Sequence, residues 1–553
     1  MNDAPPELKR SIWRRNLTFL AFCVVASSAV VGSLWTVKPL PGPSSFDKSK
    51  YEDLEFQEIV STVNFDFDRH WATNKINTVQ PADTLLLARR LSLGLTGTLP
   101  SLEEIRALEE QDESVRVQWW LSRLFEDRRY SDYLAERLAR AYVGVENGPF
   151  LVYRRRRMVD WISDQIQGNR PYDELARELI HSKGTWTTQP QANFITATIE
   201  KGEKGGPSEI KLATRLTRAF LGVRIDCVQC HDDMFGDRWK QQDFHQLAAF
   251  FGEADVGFSG VRDNEKLEYE YRYRRSSTEE VVPPVVPFSE ELLPAEGELR
   301  ERLAAWATHR LNRPFSRTIV NRIWALMFNR PLVPKIDSIP LEGPYPPAME
   351  ALVDDLIAHD FDLQRLIRVI AATQVFQLDS KSEDSAYPIT KEHEEAWASY
   401  PLSRLRPEQV AGGIIQASRL RTINAEAHII QKIQRFIEQN DFVKRYGDFG
   451  ADEFGEQAGT IPQRLLMMNG KLVRDRTKNN IFLNAAARIA ALSPSDKKAV
   501  ETAYLCVLTR RPTAEEFKVF VSDLAGLEGA ERQIAVGDIC WALLNSTEFA
   551  WNH

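Results

Sequence analysis

The stretch "IKLATRLTRAFLGV", Ile210 to Val223, decides the character of the chain. Ile210, Ala213, Leu216 and Phe220 recur at three- and four-residue intervals, the period of an amphipathic helix with one buried face. The next residues, "RIDCVQCHDDMFGDRWK", break that pattern and bring two cysteines, three apart, with a histidine directly after the second. A second helical pattern, "QQDFHQLAAFF" from Gln241 to Phe251, carries the chain away. A helix therefore delivers a Cys-x-x-Cys-His turn and another helix leaves it.

Outward from this point, the helical period dominates. "DTLLLARRLSLGLTG" (Asp83 to Gly97) ends on a glycine, and Ser101 followed by Glu104 opens the next pattern as a capping pair. Further helices are predicted over 115–142, 154–167 and 171–181. The basic run Arg154 to Arg157 lies between such patterns and reads as a solvated face. Between 253 and 293 the character changes: "KLEYEYRYRR" alternates with period two and "VVPPVVPF" is extended. Helical patterning resumes at Glu298 and runs almost to His553. The fold class predicted is mainly α: a multi-helix ectodomain in two halves with a small β-containing insert, preceded by one N-terminal transmembrane helix. The divisions are a cytoplasmic N-terminus at 1–16, a signal anchor at 17–37 and a linker with a first helix at 38–81. The first helical domain follows at 82–252, then the insert at 253–293 and a second helical domain at 294–553.

The anchor is read from Lys9, Arg10, Arg14 and Arg15 standing before an uncharged stretch, Leu17 to Val37. At ~1.5 Å per residue it just spans a hydrocarbon core of about 30 Å. The basic flank places the first residues in the cytoplasm and the bulk of the chain in the periplasm or outside, as a single-pass membrane protein. A cleavable signal peptide is the rival, usually with a shorter apolar region. A net charge of −8 gives no bulk basic field, so no nucleic-acid partner is expected. Five cysteines in so long a chain make no disulfide scaffold. Cys23 falls in the apolar stretch, and Cys506 and Cys540 sit singly in helical patterns as small core residues.

From Ala82 on, the chain resembles a known family. "ARRLSLGLTGTLPSLEEI", "WWLSRLFEDRRYSDYLAERLAR", "DWISDQIQGNRPYDELARELI" and the Cys-x-x-Cys-His segment are similar to the exported planctomycete cytochrome-c-like domain of unknown function, PSCyt-type. "RPFSRTIVNRIWALMFNRPLVPKID", "LIAHDFDLQRLIRVIAATQVFQL", "PLSRLRPEQVAGGIIQASR" and "WALLNSTEFAWNH" resemble its PSD-type companion. The resemblance implies little biochemistry. Members commonly read Cys-x-x-Cys-His-Asp-His-Pro, whereas Asp233 and Met234 stand here in place of the second histidine and the proline.

Three chemistries suit the motif. Covalent haem c needs two thiols spaced for its two vinyl groups and a histidine beside the second to bind iron, which Cys227, Cys230 and His231 supply. His245, Met467 and Met468 are candidates for the sixth position; Met234 is too close in sequence. A zinc or other metal site would combine cysteine and His231 with Asp232, Asp233, Asp237 and His245. In the third reading there is no cofactor, and the cysteines form a disulfide or two buried thiols. The functions that follow are an electron-transfer or redox protein, a non-haem metal enzyme, or a surface binding and assembly module. Redox or surface proteins are the expected partners, beside the membrane. His359 with Asp360 and Asp362 reads as a helix end and N-cap, Arg322 beside Asn321, Trp324 and Phe328 as a helix tie, and Glu548 to His553 as C-terminal docking. No Gly-rich phosphate loop, G-x-S-x-G elbow or H-E-x-x-H pair occurs, which withdraws support from the common nucleotide, serine-hydrolase and zinc-protease classes.

Overall fold

A computed structural model describes residues 19–20, 23–24, 46–145, 153–199, 206–233, 238–273, 277–382, 388–423, 429–447, 459–478, 480 and 484–553. The predicted helices are present, and their ends follow the local chemistry. Asp83 accepts the Leu86 N–H to open the helix Thr84–Thr96, and Gly97, at φ 66°, closes it in the left-handed region. Ser101 and Glu104 form the predicted capping box of Leu102–Glu109. The pattern over 115–142 is two helices, Arg116–Glu126 and Arg128–Val143. They part at Asp127, whose carboxylate accepts the Arg129 N–H and starts the second one.

The helices Arg155–Gln167 and Tyr172–His181 follow, then Glu209–Phe220 and Gln241–Ala248 around the cysteine turn. The insert is two short antiparallel hairpins, Ala254–Gly257 with Gly260–Asp263 and Glu270–Tyr271 with Glu280–Val281. Among the described residues the longer alternation in the sequence thus yields a two-residue strand pair.

Helices from both ends of the chain share one continuous hydrophobic core. Arg313–Phe328, buried along nearly its whole length, packs on Thr84–Thr96 and on Pro347–Ala358. The early helix Leu54–Asn74 lies against Pro347–Ala358, and Trp71 Nε1 donates to the Ala396 carbonyl at 2.8 Å. At Gly412 an added Cβ would stand 2.4 Å from the Gly97 carbonyl oxygen, so this close approach of the Pro407–Ala417 helix to the first half requires glycine. The C-terminus docks as read: Phe549 is fully buried, and Trp551–Asn552 pairs with Ser403–Arg404.

The N-terminal expectation is corrected. No helix among the described residues is long and apolar enough to cross a membrane. That finding overturns the transmembrane helix assigned to 17–37, and with it the single-pass placement. Of that stretch only residues 19–20 and 23–24 are described; they are helical and exposed, Cys23 included, and the rest lies outside the described residues. Lack of charge over the right length meets the first requirement of a span, but placement there also needs a continuous apolar helix.

Candidate functional site

The helix Glu209–Phe220 opens on Ser208 and buries Leu212, Ala213, Leu216 and Phe220. After Ile225 the chain makes one 3-10 turn, Asp226–Gln229. Arg218, near the helix end, grips Asp226 with two hydrogen bonds, Nε at 3.0 Å and Nη2 at 2.5 Å. Val228 points inward and is fully buried, which turns its neighbours outward: Cys227 and Cys230 are both exposed and free. His231 is exposed as well, with Nδ1 2.8 Å from the Asp232 carbonyl oxygen. A carbonyl only accepts, so Nδ1 carries a proton, and in the neutral ring Nε2 is then the nitrogen with the lone pair, the tautomer that can bind metal.

The turn is held from behind by a single backbone acceptor. The Gln229 carbonyl, one residue before Cys230, accepts from His245 Nε2 at 3.0 Å, Gln241 Nε2 at 3.0 Å and Tyr271 Oη at 3.4 Å. His245 is fully buried, and donating through Nε2 fixes its tautomer. Nδ1 therefore accepts from the Tyr269 hydroxyl at 2.8 Å. The imidazole stacks on Tyr271 at 3.5 Å between ring centroids, with Tyr273 edge-on at 5.7 Å. Burial holds its pKa below the ordinary histidine value. Downstream, Asp232 Oδ1 accepts the Gln241 N–H at 2.9 Å, at the start of Gln241–Ala248. The Asp233 N–H donates to the Trp239 carbonyl at 2.9 Å. Both ring nitrogens of His245 are therefore engaged in the support of the turn, and binding a metal would cost at least one of these hydrogen bonds.

This clamp was not read from the sequence. Its one visible signal is the alternation in "KLEYEYRYRR", which places Tyr269, Tyr271 and Tyr273 on one face, here the face turned to His245. Replacing His245 with glutamine is expected to cost roughly 2–4 kcal/mol, from lost aromatic packing and an imperfectly satisfied Tyr269 hydroxyl. The sign of the pH dependence follows from the depressed pKa. Between the folded value and the unfolded value of about 6.5 the unfolded chain binds more protons, so the histidine's stabilising contribution is full above about pH 6.5 and is lost as pH falls through the folded value. The difference in denaturant midpoint between wild type and His245→Gln should therefore narrow on acidification. A gap that widens would contradict the assignment.

Among the described residues no three His, Cys, Asp or Glu side chains are placed to hold a metal ion. Asp232 caps a helix, Asp233 is half-buried, and Asp237 and Met234 lie outside the described residues. Met467 is buried and Met468 exposed on Ile461–Asn469, a helix packed against Ile429–Tyr446 and Lys471–Thr477.

The other sequence candidates resolve into structure. Asn321 exchanges two hydrogen bonds with the Val333 backbone, at 2.8 and 3.0 Å, and Trp324 stacks on Phe328. Arg322 is buried in the same helix. Asp362 caps Leu363–Ala372, and His359 sits between Asp355 and Glu55. Glu548 pairs with Arg510, with His553 3.6 Å away. Cys506 and Cys540 are buried thiols whose pKa burial raises, the latter to about 12.

Residues 63–256 match the family model PSCyt2, described as a protein of unknown function (DUF1549), and residues 299–445 match PSD1, likewise of unknown function (DUF1553). The chain carries both domains, in that order. The pair bears out the resemblance read from the motifs. No curated protein and no solved structure matches the chain. The cysteine turn and His245 lie within the PSCyt2 match, while the clamp's tyrosine row, Tyr269, Tyr271 and Tyr273, falls between the PSCyt2 and PSD1 matches.

Proposed function

We propose that the Cys227–Cys230–His231 turn is a cofactor site for haem c and that the protein is an electron-transfer or redox protein. The observation that carries this reading is the presentation of the three donors. Both thiols are exposed and free, and His231 is exposed in the tautomer that offers Nε2. In this reading Cys227 and Cys230 would hold the group through thioether bonds and His231 would bind its iron. Bound haem supplies one-electron chemistry at iron, with a potential set by its ligands and surroundings. The chain's own contribution is rigidity. Arg218 fixes the start of the turn through Asp226, the Gln229 carbonyl is held by three donors, and Asp232 ties its end to the next helix. Donors held this way need little rearrangement when the group binds or changes oxidation state.

A binding or assembly role with a structural cysteine clasp is favoured less, because a clasp calls for paired or buried thiols and these are neither. The test is production of the full chain together with a c-type haem attachment system, followed by haem peroxidase staining of a denaturing gel. A stained band at the full-length mass is expected. Full-length protein without stain would remove the proposal.

A further inference from the structure

We propose that Tyr269 and His245 form a proton-coupled electron relay serving the cysteine turn, an inference that rests on that turn being a redox site. Tyr269 is buried, and its hydroxyl donates to His245 Nδ1 at 2.8 Å. On its other side the same imidazole donates from Nε2 to the Gln229 carbonyl, at 3.0 Å, and that carbonyl belongs to the peptide leading into Cys230. One hydrogen bond thus connects the imidazole to the backbone of the site.

Losing an electron makes a phenol strongly acidic, so its oxidation is eased when a base already holds the proton. This is the only phenol-to-imidazole hydrogen bond among the described residues. Tyr142 donates to another phenol, while Tyr51 and Tyr400 donate to carbonyls, and none of these acceptors is a useful base. Tyr133 lies 3.5 Å from Glu408, whose carboxylate already pairs with Arg137 and Arg406. In the step, Tyr269 gives one electron to a one-electron oxidant held at the turn, its O–H bond breaks, and the proton moves to His245 Nδ1. A neutral tyrosyl radical and an imidazolium result, and return of electron and proton restores both. Tyr271, stacked on the imidazole at 3.5 Å, and Tyr273, edge-on to Tyr271 at 5.1 Å, extend the aromatic contact to a half-exposed ring.

The test needs no haem. The full chain with Cys23→Ser and Cys227→Ser, produced without haem attachment, carries a ruthenium polypyridyl photo-oxidant on the exposed Cys230 thiol. After a laser flash with an electron-accepting quencher, transient absorption and electron paramagnetic resonance read the tyrosyl radical. Tyr269→Phe, which removes one hydroxyl from the core, is expected to abolish most of the signal, and Tyr345→Phe to leave it unchanged. His245→Gln should slow radical formation by about a hundredfold, the low end of what a positioned proton acceptor contributes. An undiminished signal in Tyr269→Phe, or no tyrosyl radical in the parent chain, would overturn the relay. Neither result depends on whether the native chain carries haem, so failure of the relay and failure of the cofactor proposal are separately visible.

Discussion

Replacing Arg300 with alanine is expected to destabilise the protein by roughly 3–5 kcal/mol, the cost of stranding one member of a buried ion pair. Arg300 is 1% exposed. It reaches Asp263 through Nε at 2.6 Å and Nη2 at 3.0 Å, and its Nη1 donates to the Ser182 carbonyl at 3.0 Å. One guanidinium therefore joins the first hairpin of the insert, the end of the Tyr172–His181 helix and the helix Leu299–Ala307 that begins the second half. Its removal leaves the Asp263 carboxylate with Lys183 as a partly exposed partner at 3.3 Å. Urea unfolding of the two proteins measures the effect. A midpoint unchanged from wild type would show that this junction does not hold the halves together.

Changing Cys227 and Cys230 together to serine is expected to eliminate covalent haem while leaving stability within about 0.5 kcal/mol, the usual range for exposed substitutions away from structural features. The two readings of the motif diverge here. A haem anchor loses its cofactor and keeps its fold, whereas a structural clasp loses stability when the thiols go. Haem staining and thermal unfolding of the variant, prepared beside wild type, read both quantities. A large fall in the unfolding temperature of the haem-free variant, compared with haem-free wild type, would favour the clasp.

Most of the fold was legible in the sequence because most of it is local. The capping box at Ser101, the stop at Gly97 and the cap at Asp362 are each set by residues within one helical turn, and each is found where the pattern places it. The break at Asp127 was missed because the apolar period continues through it; only the aspartate's readiness to cap a new helix marks the division. The transmembrane assignment erred by treating low charge over the right length as sufficient.

For the site, the donors were legible and their support was not. Cys227, Cys230 and His231 announce themselves by spacing. That His245 would turn inward, onto the Gln229 carbonyl and the Tyr269 hydroxyl, depends on tyrosines about 24 residues further on, a pairing that only tertiary packing creates. Gln229 carries no signal at all, since its role belongs to its backbone carbonyl.

The most direct test of the central claim is one preparation of the full chain, made with a haem attachment system and measured for intact mass, visible spectrum and thiol content. Thioether formation consumes both thiols and adds a chromophore, zinc returns them on chelation, and a disulfide returns them on reduction. The account predicts a mass increment of one haem, a Soret band, and no titratable thiol at Cys227 or Cys230. A colourless protein of unmodified mass, with both thiols recovered, would contradict it.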